Sequence, residues 1–151
     1  REGRRILFTT KGLSEYISGV ILFEETLFDT TEDGQTALVD YLKDQDIVLG
    51  IKVDKGCKPL PATNGETYTQ GLTDLHLRCQ KYYARGARFA KWRATLKISA
   101  NTPSPQAIHE TAYTLARYAA ICQDNGLAPI IEPEILMDGH HSLEVQQYWT
   151  E

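Results

Sequence analysis

The sequence predicts an α/β fold built on a parallel sheet. Four short apolar runs rich in β-branched residues recur along the chain, and amphipathic helical patterns separate them. The run centres, near Ile21, Ile51, Ala90 and Ile130, are 30, 39 and 40 residues apart, a spacing that suits repeated right-handed strand–helix–strand crossovers. Such short, β-branched runs fit strands covered on both faces.

The first run is Gly19-Val20-Ile21-Leu22-Phe23. A helix is predicted over 35–45, where Ala37, Leu38, Tyr41 and Leu42 fall on one face. The second strand covers 47–53. Residues 59–66, with Asn64-Gly65 as the turn, read as a structured loop long enough to be functional. A helix over 73–84 carries Leu75, Leu77 and Tyr82 and stops at Gly86. The third strand covers 88–93. The clearest helix runs over 104–125: Ser104 caps it, Pro105 suits its first turn, and Asn125-Gly126 closes it. The fourth strand covers 127–132, and a last helix starts at Ser142. The order is β-α-β-α-β-α-β-α, in 151 residues read as a single domain.

Composition excludes several classes. Sixteen Lys+Arg against twenty Asp+Glu give a net charge of −4. Nucleic-acid and anionic-membrane binders draw their affinity from excess positive charge, so neither partner is expected. The apolar runs fall far short of the ~20 residues that span a bilayer, so no membrane insertion is expected. No charged-then-apolar leader opens the chain. Cys57, Cys79 and Cys122 are odd in number and widely spaced, which reads as reduced thiols filling apolar space. No GxGxxG or P-loop follows any strand, and His109-Glu110-Thr111-Ala112-Tyr113 lacks the second His of HExxH. Asp138-Gly139-His140-His141 reads as a polar loop, not a metal site. Tyr82, Tyr83 and Tyr118 are expected at contacts between helices and sheet.

The charges at the strand ends carry the chemistry. Alternate strand residues share a face. Lys52 therefore falls with Asp54, Lys91 with Arg93, and Glu132 with Glu134 if the extended course continues through Pro133. Three successive strands place ionic pairs at their C-terminal ends on one parity. Three cations balance three carboxylates, which makes a partly buried cluster tolerable. In parallel α/β folds these strand ends are where catalytic residues collect. Adjacent lysines perturb each other's pKa, carboxylates beside them exchange protons, and basic side chains hold phosphate.

These residues carry a family resemblance. Gly19-Val20-Ile21-Leu22-Phe23-Glu24-Glu25-Thr26-Leu27, Gly50-Ile51-Lys52-Val53-Asp54-Lys55-Gly56, Thr69-Gln70-Gly71-Leu72, Phe89-Ala90-Lys91-Trp92-Arg93 and Ile131-Glu132-Pro133-Glu134-Ile135-Leu136 closely resemble class I fructose-1,6-bisphosphate aldolase. The match runs from about residue 7 to 151 without large gaps. The family's fold is a TIM (β/α)8 barrel, so the resemblance implies a partial barrel of about four βα units, the incomplete central part of the domain. It implies a cytoplasmic homotetramer that cleaves fructose 1,6-bisphosphate reversibly in glycolysis and gluconeogenesis, with a lysine Schiff base and no cofactor.

At matching positions, Lys91 resembles the lysine that assists carbinolamine formation and proton transfer. Glu132 resembles the general acid/base of Schiff-base formation, and Glu134 the neighbouring carboxylate that tunes the lysines. Lys52 and Arg93 resemble substrate-contacting cations, Asp54 the partner that orients them, and Trp92 an outward-packed support. The resemblance puts the Schiff-base lysine beyond Glu151 and a first-strand aspartate before Arg1. The 151 residues alone are therefore expected to be inactive. A non-catalytic scaffold that binds actin or adhesin tails is the alternative from a different functional class.

Overall fold

The expected alternation of strands and helices is present, with short elements added to it. The computed structural model describes residues 2–31 and 34–151. A helix α1 (Glu2–Phe8) leads to β1 (Gly19–Leu22), a one-turn α2 (Glu24–Leu27), α3 (Leu38–Lys43) and β2 (Val48–Lys52). A hairpin of β3 (Cys57–Pro59) and β4 (Thr67–Thr69) follows. Then come α4 (Leu75–Arg85), β5 (Ala87–Lys97), α5 (Pro105–Asp124), β6 (Ala128–Leu136) and α6 (Leu143–Thr150). The main sheet has the order β1-β2-β5-β6, and every neighbouring pair is parallel. The architecture is α/β, a partial TIM barrel.

Strand alternation sorts the sheet into two faces. Leu22, Leu49, Ile51, Val53, Ala90 and Trp92 are buried together with Leu38, Leu42, Leu75, Cys79, Tyr118 and Cys122 from α3, α4 and α5. Each large apolar side chain removed from water here contributes roughly 1.5–3 kcal/mol. Trp92 is fully buried, facing the helices, with its ring centroid 5.3 Å from that of Tyr118. The Tyr118 hydroxyl lies 2.7 Å from the Ala90 carbonyl and 3.3 Å from that of Ile130, so α5 is tied to both β5 and β6. The opposite face carries Ile21, Val48 and Ile130, all exposed. There the Phe89 ring lies across Gly50, where a Cβ would meet it at 2.2 Å.

Helix ends follow the local chemistry. The Ser104 hydroxyl accepts from the Ala107 N–H at 3.2 Å and Pro105 opens α5, so the predicted cap forms. Gly86 and Gly126 close α4 and α5 at φ 111° and 75°. The Ser142 hydroxyl caps α6, accepting from Val145 N–H at 3.4 Å.

The departures are physical. The helix expected over 35–45 is only Leu38–Lys43. Ahead of it the Thr36 carbonyl accepts the Thr31 N–H at 2.8 Å, and Ala37 is extended at the N-cap. β5 and β6 outrun their predicted ends and pair from Phe89↔Ala128 to Lys97↔Leu136. Pro129 and Pro133 lie within this pairing, opposite Ala90 and Ala94. The loop expected over 59–66 is flanked by the β3–β4 hairpin, whose tip Gly65 sits at φ 74°. Cys57 is exposed, not apolar filler. Tyr83 is exposed too, under the Arg88 guanidinium at 4.2 Å.

Candidate functional site

The six charged residues predicted at the strand ends pair in the structure. Lys52 is the last residue of β2 and stands in register with Lys91 of β5, and Arg93 stands in register with Glu132 of β6. Lys52 Nζ meets Asp54 Oδ1 at 2.6 Å, and Lys91 Nζ meets Glu132 Oε2 at 3.2 Å. Arg93 grips Glu134 with both limbs: Nε donates to Oε2, and Nη2 to Oε1 at 2.9 Å. The fork geometry of guanidinium and carboxylate explains this two-point contact.

Asp54 is the most enclosed of the six, its side chain only 4% exposed. Besides Lys52, its Oδ1 accepts the Gly56 N–H at 3.1 Å, and its Oδ2 accepts the Arg93 N–H at 3.4 Å. It therefore links the end of β2, the turn after it, and β5. Lys91 is 17% exposed and Arg93 46%, so the array grades from sheltered to open along β5. The doubly bound Arg93 holds the Glu134 carboxyl below its ordinary range, and Glu134 in turn pushes the guanidinium further toward its charged form.

Strand-end parity did not reveal several neighbours. Phe23 follows β1, with Lys52 Nζ 5.8 Å and the Arg4 guanidinium 4.9 Å from its ring centroid. Glu24 binds Lys55 Nζ at 2.7 Å, which holds that carboxyl below its usual range. Thr69 of β4 donates its hydroxyl to the Arg93 carbonyl at 2.9 Å, and Cys57 Sγ lies 3.7 Å from Thr95 Oγ1. The hairpin thus borders the cluster. Phe23 could have been found by carrying the strand-end argument to β1. The hairpin had no signal beyond Asn64-Gly65.

The remaining sequence candidates lie elsewhere. His76 and His109 are on α4 and α5. His141 Nε2 contacts Gln146 Oε1 at 2.7 Å in the loop before α6. Among the described residues no three His, Cys, Asp or Glu side chains are grouped to hold a metal ion. No helix among them is long and apolar enough to cross a membrane.

Only Lys52 and Asp54 lie at a strand end; because β5 and β6 run on to Lys97 and Leu136, Lys91, Arg93, Glu132 and Glu134 stand in mid-strand, not at the C-terminal ends expected from the sequence. Three cationic side chains paired to three carboxylates on this face suit proton transfer to and from a polar, anionic substrate. Comparison with known proteins agrees. The family model for glycolytic class-I fructose-bisphosphate aldolase matches residues 1–151. The chain belongs to the class-I fructose-bisphosphate aldolase family. This aldolase segment is 61% identical over 148 residues to the cytosolic fructose-bisphosphate aldolase 4 of Arabidopsis thaliana, covering 98% of the segment and 37% of that relative. It is 57% identical to the aldolase of Dictyostelium discoideum, with 97% and 41% covered. The Plasmodium falciparum aldolase, solved in complex with TRAP and a small-molecule inhibitor, superposes with a TM-score of 0.89 at 55% identity, over 95% of this chain and 42% of that one. The aldolase segment spans about two-fifths of the length of these relatives.

Proposed function

We propose that this chain is the central part of a fructose-bisphosphate aldolase that reversibly cleaves fructose 1,6-bisphosphate to dihydroxyacetone phosphate and glyceraldehyde 3-phosphate through a lysine Schiff base. The observation that carries the reading is the Lys91–Glu132 pair at 3.2 Å, flanked by Lys52–Asp54 and Arg93–Glu134. Schiff-base formation adds an amine to a carbonyl and expels water. A proton must leave the nitrogen and another must reach the departing hydroxyl. Glu132 serves as that acid and base, and Lys91 carries the proton between steps. Glu134 holds Arg93 in place and adds negative charge beside Lys91. Lys52 and Arg93 receive the substrate's oxygens and phosphate, and Asp54 fixes Lys52.

The nucleophilic lysine belongs, on this reading, to a strand outside the 151 residues. The segment is then an incomplete part of one barrel domain, inactive alone, within a cytoplasmic homotetramer. Treating the full-length polypeptide with dihydroxyacetone phosphate and borohydride tests the reading. It expects a covalent adduct, and a Lys91→Met variant slowed by about 100-fold or more. Absence of an adduct in the full-length protein would refute it, and turnover by the isolated segment would refute the placement of the nucleophile.

A second reading, a scaffold for an adhesin tail or actin, is favoured by the TRAP complex of the Plasmodium falciparum relative. It predicts partner binding that survives Lys91→Met.

A further inference from the structure

Arg78 takes no part in the ionic array, yet it is bound to the backbone that carries it. It sits on α4, partly buried, and among the described residues it forms no ion pair. Instead Nη1 donates to the Val53 carbonyl at 2.9 Å, and Nη2 donates to the Gly71 carbonyl. Val53 lies between Lys52 and Asp54. Gly71 ends the strip that returns from the hairpin.

The two strips are also sewn to each other. Lys55 N–H donates to the Gln70 carbonyl at 2.8 Å, and Gln70 N–H donates to the Gly56 carbonyl at 3.0 Å. Gly71 is at φ 135°, and a Cβ there would meet Lys55 N at 3.0 Å and the Trp92 ring at 3.2 Å. Only glycine allows this close approach. The approach in turn brings the Gly71 carbonyl within reach of the guanidinium that holds Val53.

We infer that Arg78 is a positioning residue for the aldolase site. Its planar fork bridges the Val53 and Gly71 carbonyls and so fixes the path of 53–56, from which Asp54 reaches Lys52, Gly56 and Arg93. This rests on the proposed aldolase reading. β2 ends at Lys52, so beyond it little sheet pairing holds the chain. Val53 N–H still donates to the Lys91 carbonyl at 3.1 Å, and Arg78 takes the Val53 carbonyl. Lysine cannot reproduce the clamp, because one ammonium does not span two carbonyls as a guanidinium does.

The test compares Arg78→Met and Arg78→Lys in the full-length polypeptide. Arg78→Met is expected to lower kcat about tenfold or more with KM within about threefold, since charge-assisted bonds of this kind are worth at least one decade. Its kcat–pH profile should also change shape, because the Lys52–Asp54 contact loosens. Arg78→Lys should recover part of the loss. Amide exchange over 53–57 should speed about tenfold in Arg78→Met, while 128–136 stays as in the parent. Unchanged exchange over 53–57, or an equal rise over 128–136, would overturn the inference. A parent without turnover that still showed the local exchange change would support the clamp and sink the aldolase reading.

Discussion

Replacing Asp54 by asparagine isolates the charge of the most enclosed group in the array. Stranding one partner of a fully buried ion pair costs about 3–5 kcal/mol. The Lys52 side chain is 27% exposed, so its ammonium regains water and the cost falls to about 1–2 kcal/mol. Asparagine keeps an oxygen for the Gly56 N–H but turns an NH2 toward the Arg93 N–H, which forfeits a bond worth about 1 kcal/mol. The sum is about 2–3 kcal/mol. Lys52→Met removes the stranded charge, so Asp54→Asn in that background should cost only about 1 kcal/mol. Urea unfolding of the full-length polypeptide, run as a double-mutant cycle, reads the difference. The reasoning fails if Asp54→Asn costs the same in both backgrounds or is neutral in the parent.

Three other outcomes follow from the geometry. Gly50→Ala should destabilise by about 1–3 kcal/mol by driving a methyl into the Phe89 ring; with Phe89→Ala alongside, its effect on Tm should reverse sign, because alanine is the better strand residue. Burial pushes the Tyr82 hydroxyl up to about 12 from 10.0. The stability it contributes is complete below pH 10 and drains away as pH rises toward 12. Tyr82→Phe should therefore flatten the alkaline fall by about 2–3 kcal/mol, read as Tm against pH. Glu134 titrates below its reference value of 4.5, mainly through its hydrogen bonds to Arg93. The stability it contributes is present above that value and lost as pH falls through its lowered folded pKa. Glu134→Gln should make the acid limb of the stability curve shallower, and an identical limb would contradict the linkage.

Much of the site was legible because strand parity is a strong constraint. One rule, that alternate residues share a face, brought Lys52, Asp54, Lys91, Arg93, Glu132 and Glu134 together before any coordinates. The pairing itself was not legible. That Lys91 meets Glu132 and Arg93 meets Glu134 depends on the β5–β6 register, which local pattern does not set. Caps written in side chains, such as Ser104 with Pro105, were read correctly because the hydrogen bond is local. The start of α3 was placed too early because Ala37 continues the apolar face of Leu38, Tyr41 and Leu42, while the Thr31 N–H takes the Thr36 carbonyl and Ala37 stays extended as the N-cap. Arg78 carried no signal, since its partners are main-chain carbonyls 25 and 7 residues away.

The register of β5 against β6 also bears on synthesis. Lys91 and Arg93 of β5 each find their carboxylate 41 residues downstream. A ribosome that has just finished β5 holds a strand whose inward charges have no counter-ion across the ladder. That strand can still pair with β2 and bury Trp92, but water holds Lys91 and Arg93 until Glu132 and Glu134 emerge. Neutralisation of the β5 charges, not the seating of the strand, thereby waits for β6 in the growing chain.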